Sequence, residues 1–253
     1  MKILVATPIY PPEIGGPATY VKELADRLNK KHALTIVAYT DVYNPWPNTK
    51  LIPITKRQPL PIRLLKFFLA VFRESKSVDL IYVQNAMAAG LPVALVSVLT
   101  GKPFILKFVG DEAWERATQH HLTTKRLEEF LNNPDKNWRI RIMMIIQGFV
   151  LRRASVVTTP SEYLGQEIQK VYKIQKGRVI TNYNAAEKSE ILPFEYTRNK
   201  HQIVTTARLV AWKGVDGTIR AIEILKIKYP DVKFIIAGDG PEMENLKKLQ
   251  GGT

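Results

Sequence analysis

The feature that most narrows what this chain can fold into is an alternation. Short apolar runs rich in valine and isoleucine occupy 2–7, 33–39, 80–84, 104–109, 156–159 and 179–181. Between them lie segments with helical spacing of apolar residues at 17–28, 62–75, 86–99, 139–153 and 161–171. Runs this short, bounded by turn residues or charges, read as buried strands. Strands and helices alternating at this interval predict an α/β fold with a mostly parallel sheet. Parallel neighbours need a crossover long enough to hold a helix, and the helices then cover both faces. Such a sheet carries its ligand loops at the C-terminal ends of its strands.

The rhythm breaks at 182–202, which is polar, contains Pro193 and shows little periodicity; it reads as an interdomain connection. A second series follows, with strands at 203–207 and 232–237 and helices from about 214 to 229 and from about 242. The expected division is a complete Rossmann-like domain over 1–185, a linker over 186–202 and the first half of a second such domain over 203–253. A typical domain takes ~150 residues, so a chain of 253 suits one domain and part of another.

Lysine and arginine number 37 against 23 aspartates and glutamates, a net charge of +14. A surface so basic attracts anions. The stretch from Lys56 to Lys76 holds six basic residues and one acid. The stretch 136–153 holds five basic residues and no acid. In the first, Arg63, Lys66 and Arg73 fall on one helical stripe among Ile62, Leu64, Leu65, Phe67, Phe68, Leu69, Val71 and Phe72. That pattern suits an interfacial helix on anionic lipid, and equally a sheet-covering helix whose apolar face is core and whose basic stripe is solvated. The apolar run of the second is long enough to be expected buried all round. Neither stretch interleaves its cations with the aromatic residues that stack on bases, so nucleic acid is not the expected partner.

There is no cysteine, which excludes disulfides, a thiolate nucleophile and cysteine-bound zinc. The N-terminus meets Pro8, Pro11 and Pro12 too soon to be a signal peptide. A cytoplasmic protein is expected; the interfacial reading of 56–76 would attach it peripherally to the inner face of the cytoplasmic membrane.

Four segments could carry chemistry. Pro11-Pro12-Glu13-Ile14-Gly15-Gly16-Pro17 links the first strand to the first helix. Its glycines let backbone approach a ligand, and free N–H groups at the helix start favour an anion; a tight turn with Pro17 at the first helical position explains it equally well. Arg208 closes a strand of the second series and Lys213 precedes a helix. A guanidinium fork and a point charge at one strand-to-helix loop suit a diphosphate, although solvated surface cations are the commoner state. Gly238-Asp239-Gly240-Pro241 ends the next strand and by itself is turn chemistry. Gly110-Asp111-Glu112 ends the strand at 104–109. Asp111 or Glu112 could bind an acceptor hydroxyl or act as a base, or could simply stabilise a helix N-terminus.

In order and spacing the set resembles glycosyltransferase family 4, the retaining nucleotide-sugar transferases of GT-B fold. The matching parts are Gly15-Gly16, the 102–111 strand with Gly110-Asp111, Thr159-Pro160-Ser161, Val179-Ile180-Thr181-Asn182, Ala207-Arg208 with Lys213-Gly214, and Gly238-Asp239-Gly240-Pro241. The resemblance implies that Gly15, Gly16, Gly110, Glu112, Asn182 and Gly238 border the acceptor and donor cleft. Arg208 and Lys213 would hold the donor diphosphate, with no metal and no cofactor. The partners implied are a nucleoside-diphosphate sugar and a sugar, glycan or lipid-linked acceptor.

Two departures stand out. Many members carry a histidine where this chain has Val109, which leaves Asp111 as a weak substitute. The family's second domain also runs on to a pair of glutamates that hold the donor, beyond the point where this chain stops. A shortened chain without turnover of its own is therefore expected. A non-catalytic relative that binds acceptor or partner is the alternative. A nucleotide-sugar oxidoreductase or epimerase is a weaker one, since Gly-x-Gly-x-x-Gly is absent after the first strand.

Overall fold

The computed structural model describes residues 1–185 and 201–250. By internal contacts the chain divides into one unit of Met1–Trp114 with Lys125–Ala185, and a second of Glu115–Thr124 with Ala186–Thr253. The linker expected over 186–202 lies almost wholly outside the described residues.

The first unit opens with strand β1 (Lys2–Thr7), helix α1 (Gly16–Leu28), β2 (Ala33–Tyr39), β3 (Thr49–Ile54) and α2 (Leu60–Ser75). It continues through β4 (Leu80–Gln84), α3 (Gly90–Thr100), β5 (Phe104–Lys107), the start of α4 (Glu112–Gln119), whose residues from Glu115 group with the second unit, and α5 (Leu127–Asn132). It ends with α6 (Trp138–Arg153), β6 (Val156–Thr159), α7 (Glu162–Val171) and β7 (Val179–Thr181). The seven strands form one sheet in the order β3-β2-β1-β4-β5-β6-β7, and every pairing is parallel. The chain winds outward from β1 in one direction to β3, then returns to β4 on the other side of β1. That reversal between β1 and β4 is the place where an open α/β sheet accepts a ligand.

The reasons for burial are visible in the strands. Leu4, Val5 and Ala6 of β1 are buried, as are Ile36, Val37 and Ala38 of β2, as near-continuous apolar runs covered on both faces require. One core cluster joins Ile3, Val5, Val21, Ala25, Leu34 and Ile36. Strand β3 is absent from the sequence expectation because Lys50 and Pro53 interrupt its apolar pattern. It sits at the sheet edge, where a proline costs no interior ladder bond.

The stretch 136–153 corrects another expectation. Helix α6 buries Ile140, Val150 and Leu151 but leaves Trp138, Ile142 and Ile145 exposed, so it is not buried all round. Helix α2 buries Phe67 and Val71, while Ile62, Leu65 and Leu69 face outward with Lys66 and Arg73.

The second unit contains β8 (Gln202–Thr206), a 3-10 turn at Ala211–Lys213, α8 (Val215–Lys228), β9 (Lys233–Ala237) and α9 (Met243–Gln250). Strands β8 and β9 pair in parallel. Leu209, Val215, Ile219 and Leu246 form a small core with Phe234, Ile236 and Met243 packed on it.

Candidate functional site

The C-terminal edge of the seven-stranded sheet is built from strand exits. At the end of β1, Thr7 Oγ1 donates to Ile9 O at 2.9 Å and lies 3.0 Å from Gln84 Oε1 at the end of β4. The two strands flanking the reversal are thereby tied together. Gly15 precedes α1, and a Cβ there would meet Ile9 Cδ1 at 2.7 Å, whereas Gly16 faces open space. Helix α1 has no side-chain cap and no acid in its first turn. Ala18 and Thr19 N–H donate to Gly15 O at 3.0 and 3.1 Å and Pro17 has no N–H, so the positive end of the helix dipole, rather than a row of free donors, is what it offers an anion.

After β4, Asn85 accepts from the N–H groups of Met87 and Ala88 at 2.9 and 2.7 Å, an Asx turn that delays α3 to Gly90. Glu112 Oε1 also accepts from Met87 N–H, at 3.2 Å. The Glu112 side chain therefore closes the β4–α3 loop. Its backbone N–H is held by Gln147 Oε1 at 2.9 Å.

Asp111 is not where a base would stand. It is 0% exposed. Its Oδ1 accepts from Trp114 N–H at 2.9 Å, and its Oδ2 accepts from Tyr172 Oη at 2.5 Å and Gln147 Nε2 at 3.1 Å. Burial pushes its pKa up, and the hydrogen bonds from Tyr172, Trp114 and Gln147 oppose that push. Every oxygen is engaged, so the candidate catalytic role is corrected: Asp111 caps α4 and pins it to α6 and the end of α7. Gly110 lies half-buried just before it, and Asn182 is exposed after β7 with its N–H donating to Thr159 O at 2.8 Å. Val109 is exposed.

The residue that the sequence reading passed over is Lys107. Strand β5 ends on it, two residues short of the expected 109. It is only 7% exposed. Its Nζ donates to Asn184 Oδ1 at 2.8 Å and lies 3.6 Å from the centroid of the Tyr20 ring. Tyr20 stacks in turn on Tyr82, with centroids 6.3 Å apart. The available signal was a lysine between Leu106 and Phe108 in an otherwise apolar strand.

In the second unit the two strand exits run side by side. Ala207 N–H donates to Ala237 O at 3.1 Å, Leu209 N–H to Asp239 O at 2.9 Å, and Glu242 N–H to Leu209 O at 3.0 Å. A Cβ on Gly238 would stand 1.8 Å from Ala207 O, and one on Gly240 2.2 Å from Leu209 O. Only glycine admits this approach. Gly214 has φ 65° and opens α8 from a left-handed conformation, which again favours glycine. Between these fixed points Arg208 and Lys213 are exposed, and neither is in an ion pair among the described residues.

Comparison with known proteins divides the chain near residue 188. The model of Glycosyltransferase Family 4 matches residues 14–189, and that of Glycosyl transferases group 1 matches 188–251. An uncharacterised glycosyltransferase of Methanocaldococcus jannaschii is 28% identical over 114 residues, which are 44% of this chain and 26% of that protein. The phosphatidylinositol N-acetylglucosaminyltransferase gpi3 subunit of Schizosaccharomyces pombe is 35% identical over 72 residues, 28% of this chain and 16% of that one. Among solved structures, Anabaena HepE in complex with UDP superposes with a TM-score of 0.64 at 16% identity, covering 99% of this chain and 65% of that chain. The likeness in fold is to the GT-B type, as expected. The chain spans under two thirds of each of these relatives.

Proposed function

The chain belongs to glycosyltransferase family 4, and from that premise we propose that it serves the transfer of a sugar from a nucleoside-diphosphate donor to an acceptor, with retention of configuration. The observation that carries this reading is the pair of exit loops in the second unit. Ladder bonds between 207–209 and 237–242 fix the backbone that carries Arg208, and Lys213 ends the 3-10 turn that follows, its N–H bonded to Val210 O. Both are exposed cations without carboxylate partners among the described residues. Negative charge grows on the leaving diphosphate as the glycosidic bond breaks. A guanidinium fork and an ammonium carried on that backbone would meet that charge with charge-assisted hydrogen bonds. No metal or cofactor is needed in this scheme.

The acceptor would lie along the edge formed by Gly15, Gly16, Gly110 and Asn182. With Asp111 buried and Glu112 bonded to Met87 N–H, a substrate-assisted route is favoured. The leaving phosphate takes the acceptor proton and the incoming oxygen arrives on the same face. HepE's complex with UDP makes UDP the first donor fragment to try. Calorimetric titration with UDP, with Arg208→Ala and Lys213→Ala beside the parent, tests the reading.

A membrane-side reading of the acceptor has its own observation. Ile62, Leu65 and Leu69 are exposed on the stripe of α2 that also carries Lys66 and Arg73. Leu95, Val98 and Leu99 are exposed on α3, which packs on α2. Apolar residues standing in solvent beside cations suit peripheral attachment to anionic lipid. No helix among the described residues is long and apolar enough to cross a membrane.

A further inference from the structure

Among the described residues the charge of Lys107 has no counter-charge. Lysine is almost never fully buried unless paired, because an ammonium removed from water loses its hydration. Yet Lys107 is 7% exposed, and no carboxylate comes within 4.0 Å of its Nζ among the described residues. Of its three N–H donors, one is used on Asn184 Oδ1. The Tyr20 ring face at 3.6 Å supplies a cation–π contact, which weakens but does not cancel the charge.

The position is as informative as the burial. Lys107 is the last residue of β5, paired in register with Gln84 at the end of β4 and Thr158 in β6. Its side chain reaches Tyr20 in the second turn of α1, the helix whose N-terminus lacks both a cap and an acid. A fixed ammonium and a helix N-terminus thus lie at the same edge of the sheet, next to the β1–β4 reversal. Both favour negative charge.

We propose that Lys107, steered by Tyr20 and Asn184, is an anion-recognition residue that selects an acceptor bearing a phosphate group. The inference deepens the proposed glycosyl transfer by naming the acceptor's chemical class. Bound phosphate would take the two free N–H donors and supply the missing counter-charge. A neutral sugar would leave the ammonium as it stands. Lysine suits the task as a point charge on a flexible stem, whereas bidentate recognition would call for arginine.

The test uses the 253-residue chain labelled with 3-fluorotyrosine, with the Tyr20 resonance assigned by Tyr20→Phe. Inorganic phosphate and glycerol 1-phosphate are titrated in, with glycerol as the neutral control. Both phosphates should move the Tyr20 signal saturably, and glycerol should not. Lys107→Met should weaken that response at least tenfold, while Lys107→Arg keeps part of it. In Arg208→Ala the response should be unchanged, so failure of the donor reading would leave this result standing. The proposal is overturned by no saturable shift with either phosphate, by a response to inorganic phosphate alone, or by a response that survives in Lys107→Met.

Discussion

Tyr172 Oη stands 2.5 Å from Asp111 Oδ2 inside the first unit. The pair ties the start of α4 to the end of α7, with Gln147 of α6 bonded to both. It converts an acidic residue in a motif-like segment from a candidate base into a structural pin.

The first prediction concerns pH. Burial raises the Asp111 pKa above the usual carboxylate value despite the donors around it. Such a group binds its proton more tightly folded than unfolded. Its stabilising contribution is complete below the unfolded pKa and is lost as pH rises through the folded one. Asp111→Asn imitates the protonated form. Scanning calorimetry from about pH 4 to 8 should show the parent's Tm advantage over the variant shrinking as pH rises. An advantage that grows with pH would contradict this account.

Tyr172→Phe removes the donor but keeps the ring. Asp111 Oδ2 then keeps the bond from Gln147 Nε2 but loses its shorter one. Losing a hydrogen bond to a buried charged group should lower stability by about 1–3 kcal/mol. Urea unfolding measures the loss, and UDP affinity should stay at the parent value, since the pair lies in the other unit.

Gly238→Ala would put a methyl group 1.8 Å from Ala207 O. The exit loop of β8 must shift, and Arg208 moves with it. Overpacking of this kind costs about 1–3 kcal/mol. UDP binding should fall several-fold even where far-UV circular dichroism is unchanged. Full UDP affinity in a folded Gly238→Ala would show that the loop does not position the cation.

Leu65 and Leu69 stand 57% and 50% exposed on α2. The double change Leu65→Gln and Leu69→Gln should cut co-sedimentation with phosphatidylglycerol vesicles several-fold at low salt, without loss of Tm. Phosphatidylcholine vesicles should recover little of either protein. Equal recovery of the parent in the supernatant with both lipids would count against a membrane face.

The sequence was most readable where periodicity and burial coincide. Strands β1, β2, β4, β6 and β7 fall where their Val- and Ile-rich runs predict. Helix α8 falls within a residue of the predicted span because Gly214 marks its start. Strand β3 was hidden by Pro53, which only an edge tolerates. Helices α4 and α5 were hidden by polar surfaces, with Glu112, Glu115 and Arg116 masking the periodicity of the first. At the candidate site, the positions of Arg208 and Gly238 at strand exits, and of Lys213 just before α8, were legible because they follow from the motif order. The role of Asp111 was not, because its partners Gln147 and Tyr172 lie 36 and 61 residues away in sequence. Lys107 escaped for a similar reason: a lysine's burial depends on Tyr20 and Asn184, which only the folded sheet brings to it.

The central claim, that the second unit offers a diphosphate site through Arg208 and Lys213, is tested most directly by calorimetric titration of the chain with UDP. Saturable binding is predicted. Arg208→Ala should weaken it roughly ten- to hundredfold, matching about 1.5–3 kcal/mol for hydrogen bonds to a charged group, with a smaller loss for Lys213→Ala. Absence of saturable UDP binding, or an affinity that Arg208→Ala leaves untouched, would contradict the account.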